Sequence, residues 1–295
     1  MRPAVLIANP KAGRQRARRR LERVLAELRR SGYAAEARIT RAPGDATRLA
    51  AEAVSGGARA VFALGGDGTF RETAKGLLGT DVPLGPLAAG TANVLVRSLG
   101  LPRRPLATAR TMAGLEPRSI DVGLCDGEPF LMMASCGLDA RTVARAESPL
   151  KRRLGVIAYL IAGLREWLRG SPRNLEVELD GELRPAALAI VTSIPHYAGP
   201  FRIAPGARPD DGRLHLLLVR GGGRIAACLF LLGVVFGRHH RMRGVELLPV
   251  SDQVVLRSTG PEPIQLDGDA LGLETPGTVR LDSRKLRVLA PPARG

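Results

Sequence analysis

Aromatic side chains are scarce in this chain of 295 residues: one Trp, three Tyr and six Phe amount to 3% of it. Single-stranded nucleic acid is held largely on stacked aromatics. Their scarcity, with no helix-turn-helix or RNA-binding signature, argues against a nucleic-acid partner despite a formal net charge of +16. Cysteine is as sparse. Cys125, Cys136 and Cys228 stand far apart and form no CxxC pair, which argues against a zinc site or a disulfide framework and for a reducing cytoplasm. Long apolar runs are missing too. Residues 1–7 are too short an apolar stretch for a signal peptide and run straight into Asn9-Pro10. The longest uncharged apolar segment, 225–236, falls well below the roughly 20 residues that cross a bilayer. An integral membrane protein is therefore not expected, and neither an internal repeat nor a low-complexity linker breaks the chain.

What is present is ordinary in amount and uneven in placement. A hydrophobic fraction of 45% and a charged fraction of 24% fit a globular protein long enough for two domains. Residues 1–30 carry ten basic and two acidic side chains, half of the net charge. Within them Ala17, Leu21, Val24, Leu25 and Leu28 make a helical apolar stripe with arginines on the other faces. Such a face is either simply solvated or attracted to anionic lipid headgroups or a polyphosphate.

The first 120 residues alternate as strand and helix. Apolar runs at 4–8, 35–40, 58–64 and 83–88 predict strands. Helices are predicted from 13 to 30 and over 45–55, 69–78, 91–99 and 105–113. Repeated units of this kind predict a parallel, doubly wound sheet with ligands at the carboxyl ends of its strands. After about residue 117 the texture changes to short β-rich runs at 119–125, 129–134, 175–179, 185–193, 213–219, 253–258, 264–266, 278–282 and 286–289. Turn dipeptides such as Asp126-Gly127, Asp180-Gly181 and Asp211-Gly212 lie between them, the signature of an antiparallel sandwich or barrel. Two apolar helical insertions, 150–169 and 224–236, interrupt this half. The expected organisation is an α/β domain over 1–118 and an all-β sandwich domain over 119–295, with a cleft between them.

Four strand-end motifs suit a nucleotide. In 60-AVFALGGDGTFRET-73, three glycines surround one aspartate between a strand and a helix. Glycine lets backbone N–H groups approach what a Cβ would exclude, and a helix N-terminus favours an anion such as phosphate. Asp67 would repel that phosphate unless a divalent cation sat between them. The motif is neither a Walker A loop nor a dinucleotide fingerprint. Thr69 and Glu72 have capping-box spacing, which leaves Asp67 unexplained. In 8-ANPKAG-13, Asn9, Lys11 and Gly13 offer an amide, an ammonium and a flexible turn, though Asn-Pro is also a common turn. The third motif, 88-AAGTAN-93, repeats the pattern of strand, glycine and a threonine, Thr91, that opens a helix. The fourth, 264-IQLDGDALG-272, reads either as a plain hairpin on an Asp267-Gly268 type I′ turn or as two carboxylates presented after an apolar strand.

Taken together, and in this order along the chain, NPKAG, GGDGT, GTAN and LDGD resemble the diacylglycerol kinase catalytic-domain family. The nearest branch is the bacterial soluble lipid kinases, whose superfamily includes sphingosine kinases and NAD kinases. The resemblance spans essentially the whole chain, with 134-ASCGLDA-140 and 204-APGARPDDGRL-214 included. It implies an ATP-dependent lipid phosphotransferase of lipid metabolism, with an NAD kinase-like enzyme or a weakly catalytic binding protein as rivals. ATP is then expected against Asn9, Lys11, Thr40, Gly65, Gly66, Asp67, Gly68, Thr69, Phe70, Arg71, Thr91 and Asn93. Asp67 is expected to position the triphosphate through Mg²⁺, and Asp269 to act as the general base toward the lipid hydroxyl. A second, structural Mg²⁺ is expected on the Asp211 carboxylate and the main-chain carbonyls of Arg208 and Arg213. The partner is a lipid at the cytoplasmic membrane surface, reached peripherally, and a homodimer is one assembly the reading allows. Three positions depart from the family pattern: Arg71 where Asn is usual, Val94 where Asp is frequent, and Asp269 where Glu is usual. The last shortens the proposed base by one methylene.

Overall fold

The computed structural model describes residues 1–10, 14–145, 175–221 and 224–292, and the chain divides into two units, 1–120 with 284–295, and 121–283. In the first unit the four apolar runs form β1 (Arg2–Ala8), β2 (Tyr33–Ile39), β3 (Ala60–Gly65) and β4 (Leu84–Ala88). They lie parallel in the order β2-β1-β3-β4. Strand β3 is buried along its whole length, as a strand covered by helices on both faces must be. The covering helices are α1 (Arg14–Arg30), α2 (Asp45–Ser55), α3 (Asp67–Leu77), α4 (Val94–Ser98) and α5 (Pro105–Thr111). The stripe on α1 packs as its period requires, with Val24 and Leu28 fully buried and Leu21 and Leu25 against the same core. Tyr33 and Phe62 meet edge to face there, 4.8 Å between ring centroids.

Two segments assigned to the sandwich belong elsewhere. The run 119–125 is two strands, β5 (Pro117–Ile120) in the first sheet and β6 (Gly123–Cys125) in the second unit. The final run, β20 (Leu286–Leu289), returns to the first sheet, parallel to β4 and antiparallel to β5. The expected boundary at 118/119 is corrected accordingly. The reason is that Leu286, Val288 and Leu289 are buried core residues suited to either sheet, so local pattern does not name their neighbour.

The second unit is a sandwich of two six-stranded sheets. One is ordered β10 (Glu182–Ala186), β9 (Leu175–Leu179), β16 (Gln253–Arg257), β19 (Gly277–Leu281), β6 and β7 (Glu128–Phe130). The other is ordered β15 (Val245–Val250), β14 (Leu214–Val219), β11 (Leu188–Thr192), β8 (Met133–Gly137), β17 (Pro263–Leu266) and β18 (Asp269–Glu274). Every pairing in both is antiparallel. Val177, Leu256 and Val279 from one sheet share a core with Ala134, Val191, Leu216 and Ile264 from the other. Burial in that core pushes the thiols of Cys125 and Cys136 up to about 12, which suits small packing groups; Cys228, expected from the sequence to be a third small core residue, is instead exposed. Of the two helical insertions, 150–169 lies outside the described residues, as do Lys11 and Gly13.

The other insertion is α7 (Arg224–Val235). It ends in a two-bond Gly cap: Gly237 N–H donates to the Val234 carbonyl at 3.2 Å and Arg238 N–H to the Gly233 carbonyl at 2.7 Å, with Gly237 at φ 67°. The chain then doubles back through a 3₁₀ turn, His239–Arg241. His239 is fully buried, and its Nε2–H donates to the Ile203 carbonyl at 2.9 Å. Burial lowers its pKa from the usual 6.5, a shift that the Ile203 carbonyl opposes and neighbouring His240 reinforces. Below 6.5 the unfolded chain therefore binds more protons than the folded one. This contribution to stability is complete above that pH and is lost as the pH falls toward the folded value. As the pH falls through 6.5, His239 should therefore make the unfolding free energy decrease, a slope present only where the unfolded chain holds the extra proton. The His239→Gln variant keeps an N–H for Ile203 and should lose that component; parallel curves for the two proteins would refute the assignment.

Candidate functional site

At the carboxyl edge of the first sheet the order reverses between β1 and β3, the place where open α/β sheets hold ligands. Asn9 follows β1; its N–H donates to the Leu64 carbonyl at 3.1 Å, and its Nδ2 reaches Thr69 Oγ1 at 3.3 Å across the reversal. Thr40 follows β2 and is buried, its N–H on the Ala8 carbonyl at 3.0 Å. The loop after β4 lies directly against the loop after β3. Ala89 and Gly90 N–H both donate to the Gly65 carbonyl, at 2.7 and 3.1 Å. A Cβ on Gly90 would stand 2.7 Å from the Gly66 Cα, and one on Gly65 would stand 2.5 Å from Thr69 Oγ1. Close packing, of backbone on backbone at Gly90 and of the Thr69 side chain on backbone at Gly65, is therefore one reason for these glycines.

The aspartate also has a partner within the protein. Asp67 opens α3, and its two carboxylate oxygens accept the N–H groups of Val94 and Leu95 at 3.1 and 3.2 Å, the first turn of α4. Its charge rests on the free donors and positive end of that helix. Asn93 prepares the contact from the other side. It sits in the left-handed region at φ 47°, and its amide closes the turn on Gly90 through both Oδ1 (3.1 Å) and Nδ2 (2.8 Å). Asp67 and Asn93 thus lock the two glycine loops together.

Several expectations change here. The capping box does not form: α3 begins at Asp67 behind Gly66, Thr69 Oγ1 serves Asn9, and the Glu72 carboxylate accepts Gly44 N–H at 3.1 Å in the loop before α2. Thr91 is exposed and precedes α4 rather than opening it, because left-handed Asn93 delays the helix to Val94. Phe70 is fully buried and Arg71 only 5% exposed, on the inward face of α3 with Thr73, Ala74 and Leu77. The Phe70 ring is a core group and not a nucleotide contact. Asn9, Thr40, the chain from Gly65 to Thr69 and the turn from Gly90 to Asn93 are brought to one sheet edge.

In the second unit, β17 and β18 form the hairpin, with Asp267 at φ 54° and Gly268 at φ 87° in a two-residue turn. The two aspartates of the motif have separate environments. Asp267 is buried, and its carboxylate accepts three backbone N–H groups: Leu131 at 2.8 Å, Met132 at 2.9 Å and Met133 at 3.0 Å. Asp269 is half-buried at the first position of β18, opposite Leu266.

A buried network that sequence reading missed supports the turn. Gln265 Oε1 accepts Gly268 N–H at 2.6 Å, and its Nε2 donates to Ser135 Oγ at 2.8 Å and to Asp139 Oδ2 at 2.9 Å. Asp139, in the first turn of α6 (Leu138–Arg145), also accepts the hydroxyls of Ser135 and of Tyr197, the latter at 2.5 Å. Its only local signal was a serine and an aspartate four residues apart across a strand–helix junction.

The 208–213 segment is a closed turn. Asp211 Oδ2 accepts Arg208 N–H at 3.1 Å and lies 3.0 Å from His215 Nε2, and Oδ1 accepts Arg213 N–H at 3.2 Å. Asp121, also unforeseen, ties the turn down by accepting Gly212 N–H at 2.7 Å and donating its own N–H to the Pro209 carbonyl at 2.7 Å. Among the described residues no group of three or more His, Cys, Asp or Glu side chains forms a metal cluster. One carboxylate with main-chain carbonyls nevertheless suits a Mg²⁺ that keeps several waters, and Oδ1 retains a lone pair for it.

Comparison with known proteins agrees with this architecture. Residues 3–125 match the family described as the diacylglycerol kinase catalytic domain, and residues 132–290 match the YegS C-terminal NAD kinase beta sandwich-like domain. The chain is 33% identical over 225 residues to a diacylglycerol kinase of Bacillus subtilis, covering 75% of this chain and 74% of that one. It is 31% identical over 274 residues to a Pseudomonas putida protein named "Probable lipid kinase YegS-like", covering 92% and 89%. A crystal structure of a diacylglycerol kinase from Bacillus anthracis shares the fold, with a TM-score of 0.75 at 21% identity over 98% of this chain and 97% of the other. With both matched domains in sequence and the sheet-edge loops and sandwich hairpin in place, the chain belongs to the diacylglycerol kinase catalytic-domain family, among the lipid kinases with a YegS-type C-terminal sandwich.

Proposed function

We propose that this chain transfers the γ-phosphate of ATP to the hydroxyl of a diacylglycerol-like lipid at the cytoplasmic membrane surface. The observation that carries the reading is the interlocked pair of glycine loops at the reversal of the first sheet. They offer backbone N–H groups and Asn9, Thr40 and Thr91 on a scaffold held rigid by Asp67 and Asn93. Phosphoryl transfer needs positioning and charge neutralisation more than covalent chemistry, and a rigid donor edge supplies the first. Asp67 would take up the metal-facing role. Asp269, on a hairpin tip held by Gln265 and Asp267, would accept the proton of the lipid hydroxyl. Mg²⁺ on Asp211 and the carbonyls of Arg208 and Arg213 would add positive charge and stiffen that turn.

Incubation with γ-labelled ATP and Mg²⁺, offering diacylglycerol in mixed micelles, a total lipid extract or NAD as acceptor, tests the reading. Label is expected in the organic phase, strongest with a neutral lipid alcohol. Label confined to NAD, or to inorganic phosphate with every acceptor, would overturn it.

A further inference from the structure

We propose that the outer face of α7, together with the basic turn behind it, is the surface by which this chain docks on an anionic lipid bilayer. The choice of a bilayer as partner rests on the lipid kinase reading; the surface itself rests on what the helix exposes. Leu229, Leu232 and Phe236 are spaced as one helical face, with Val235 beside them. They are 51%, 51%, 73% and 45% exposed, half of the eight exposed large apolar side chains among the described residues. The opposite face is packed inward through buried Phe230 and Val234, and through Gly233, where a Cβ would stand 2.6 Å from the Met242 sulfur and 3.1 Å from the His239 Cα, so it lies on the turn that follows the helix. The outer leucines and phenylalanine are thus left in water by a helix otherwise anchored, which soluble surfaces avoid in contiguous patches.

The charge beside this face selects the partner. No acidic residue occurs between Asp211 and Glu246, whereas Arg238, His240, Arg241 and Arg243 are all exposed. The Gly237 cap turns the chain back at the end of α7, so these cations collect at the helix C-terminus, where its dipole also favours them. The helix has 12 residues, about 18 Å long against the roughly 30 Å of a hydrocarbon core, and no helix among the described residues is long and apolar enough to cross a membrane. It fits the interface plane, with apolar side chains among acyl chains and arginines at headgroup level. Helix α1 lacks this combination. Its apolar stripe is spent on the first unit's core, so its arginines offer electrostatic attraction without insertion.

Co-sedimentation with vesicles of phosphatidylcholine, alone or with about a third phosphatidylglycerol, decides it, with no nucleotide or diacylglycerol present. The triple change Leu229→Ser, Leu232→Ser, Phe236→Ser should lower partitioning onto both vesicles by about tenfold or more. Arg238→Glu, Arg241→Glu, Arg243→Glu should abolish the preference for the anionic vesicles, a loss that shrinks as salt rises. Arg18→Glu with Arg19→Glu on α1 should change partitioning less than either. Phe236→Ser alone and a thermal melt of each variant separate lost docking from lost folding. Wild-type partitioning in the α7 variants overturns the proposal. So does conversion of a dimer to a monomer by the apolar triple with vesicle binding unchanged, since the face would then belong to a second copy. A wild-type protein that docks through α7 yet labels no lipid would refute the kinase reading and leave this surface standing.

Discussion

Turnover is expected to fall by about a hundredfold or more when Asp269 becomes asparagine, the range that a general base contributes to proton transfer. The amide keeps the size of the carboxylate and the pairing with Leu266, so the hairpin should be unchanged. ATP affinity should change little, because the proposed nucleotide contacts Asn9, Thr40, Gly65 to Thr69 and Thr91 all belong to the first unit. Asp269→Glu restores the carboxylate the family usually carries, one methylene longer, and should remain active or become faster. Steady-state kcat with diacylglycerol micelles, set beside ATP binding by equilibrium dialysis, reads both effects. A kcat near wild type for Asp269→Asn would remove the base from this position.

Asp267→Ala is expected to cost the second unit about 3–5 kcal/mol, a large share of the 5–15 kcal/mol that separates folded from unfolded in a typical domain. Three buried N–H groups, of Leu131, Met132 and Met133, would lose their acceptor at once. Alanine would also have to hold φ near 54°, where aspartate, asparagine and glycine are tolerated and alanine is strained by roughly 1–2 kcal/mol. Asp267→Asn retains the turn conformation and one acceptor oxygen, so it should cost about 1–3 kcal/mol, and its loss of activity should be smaller than that of Asp269→Asn. Urea denaturation of the three variants separates the two aspartates: Asp269→Asn should leave the midpoint nearly fixed while Asp267→Ala lowers it sharply. Equal midpoints would mean that the three N–H contacts are not what holds the hairpin.

This pair also marks where local sequence stops. The Asp267-Gly268 dipeptide announces a type I′ turn because both positions require positive φ, a property of two residues and their own backbone. The apolar runs of β1 to β4, the buried stripe of α1 and the Asp-Gly turns of the sandwich are legible for the same reason: side-chain period and turn chemistry act over a few residues. What a polar group faces is set at long range. The carboxylate of Asp67 meets N–H groups 27 and 28 residues away, and that of Asp267 meets ones 134 to 136 away. No local spacing encodes either contact, which is why Thr69 and Glu72 suggested a capping box while tertiary packing gave both side chains to other loops. The return of Leu286–Leu289 to the first sheet and the outward face of α7 belong to the same class. By itself the sequence determined the two kinds of unit, the motifs and their turns. Only the tertiary structure decided which apolar segment joins which sheet, which helix face stays in water, and which aspartate is an anchor, because burial and hydrogen-bond partners depend on chain segments far apart in sequence.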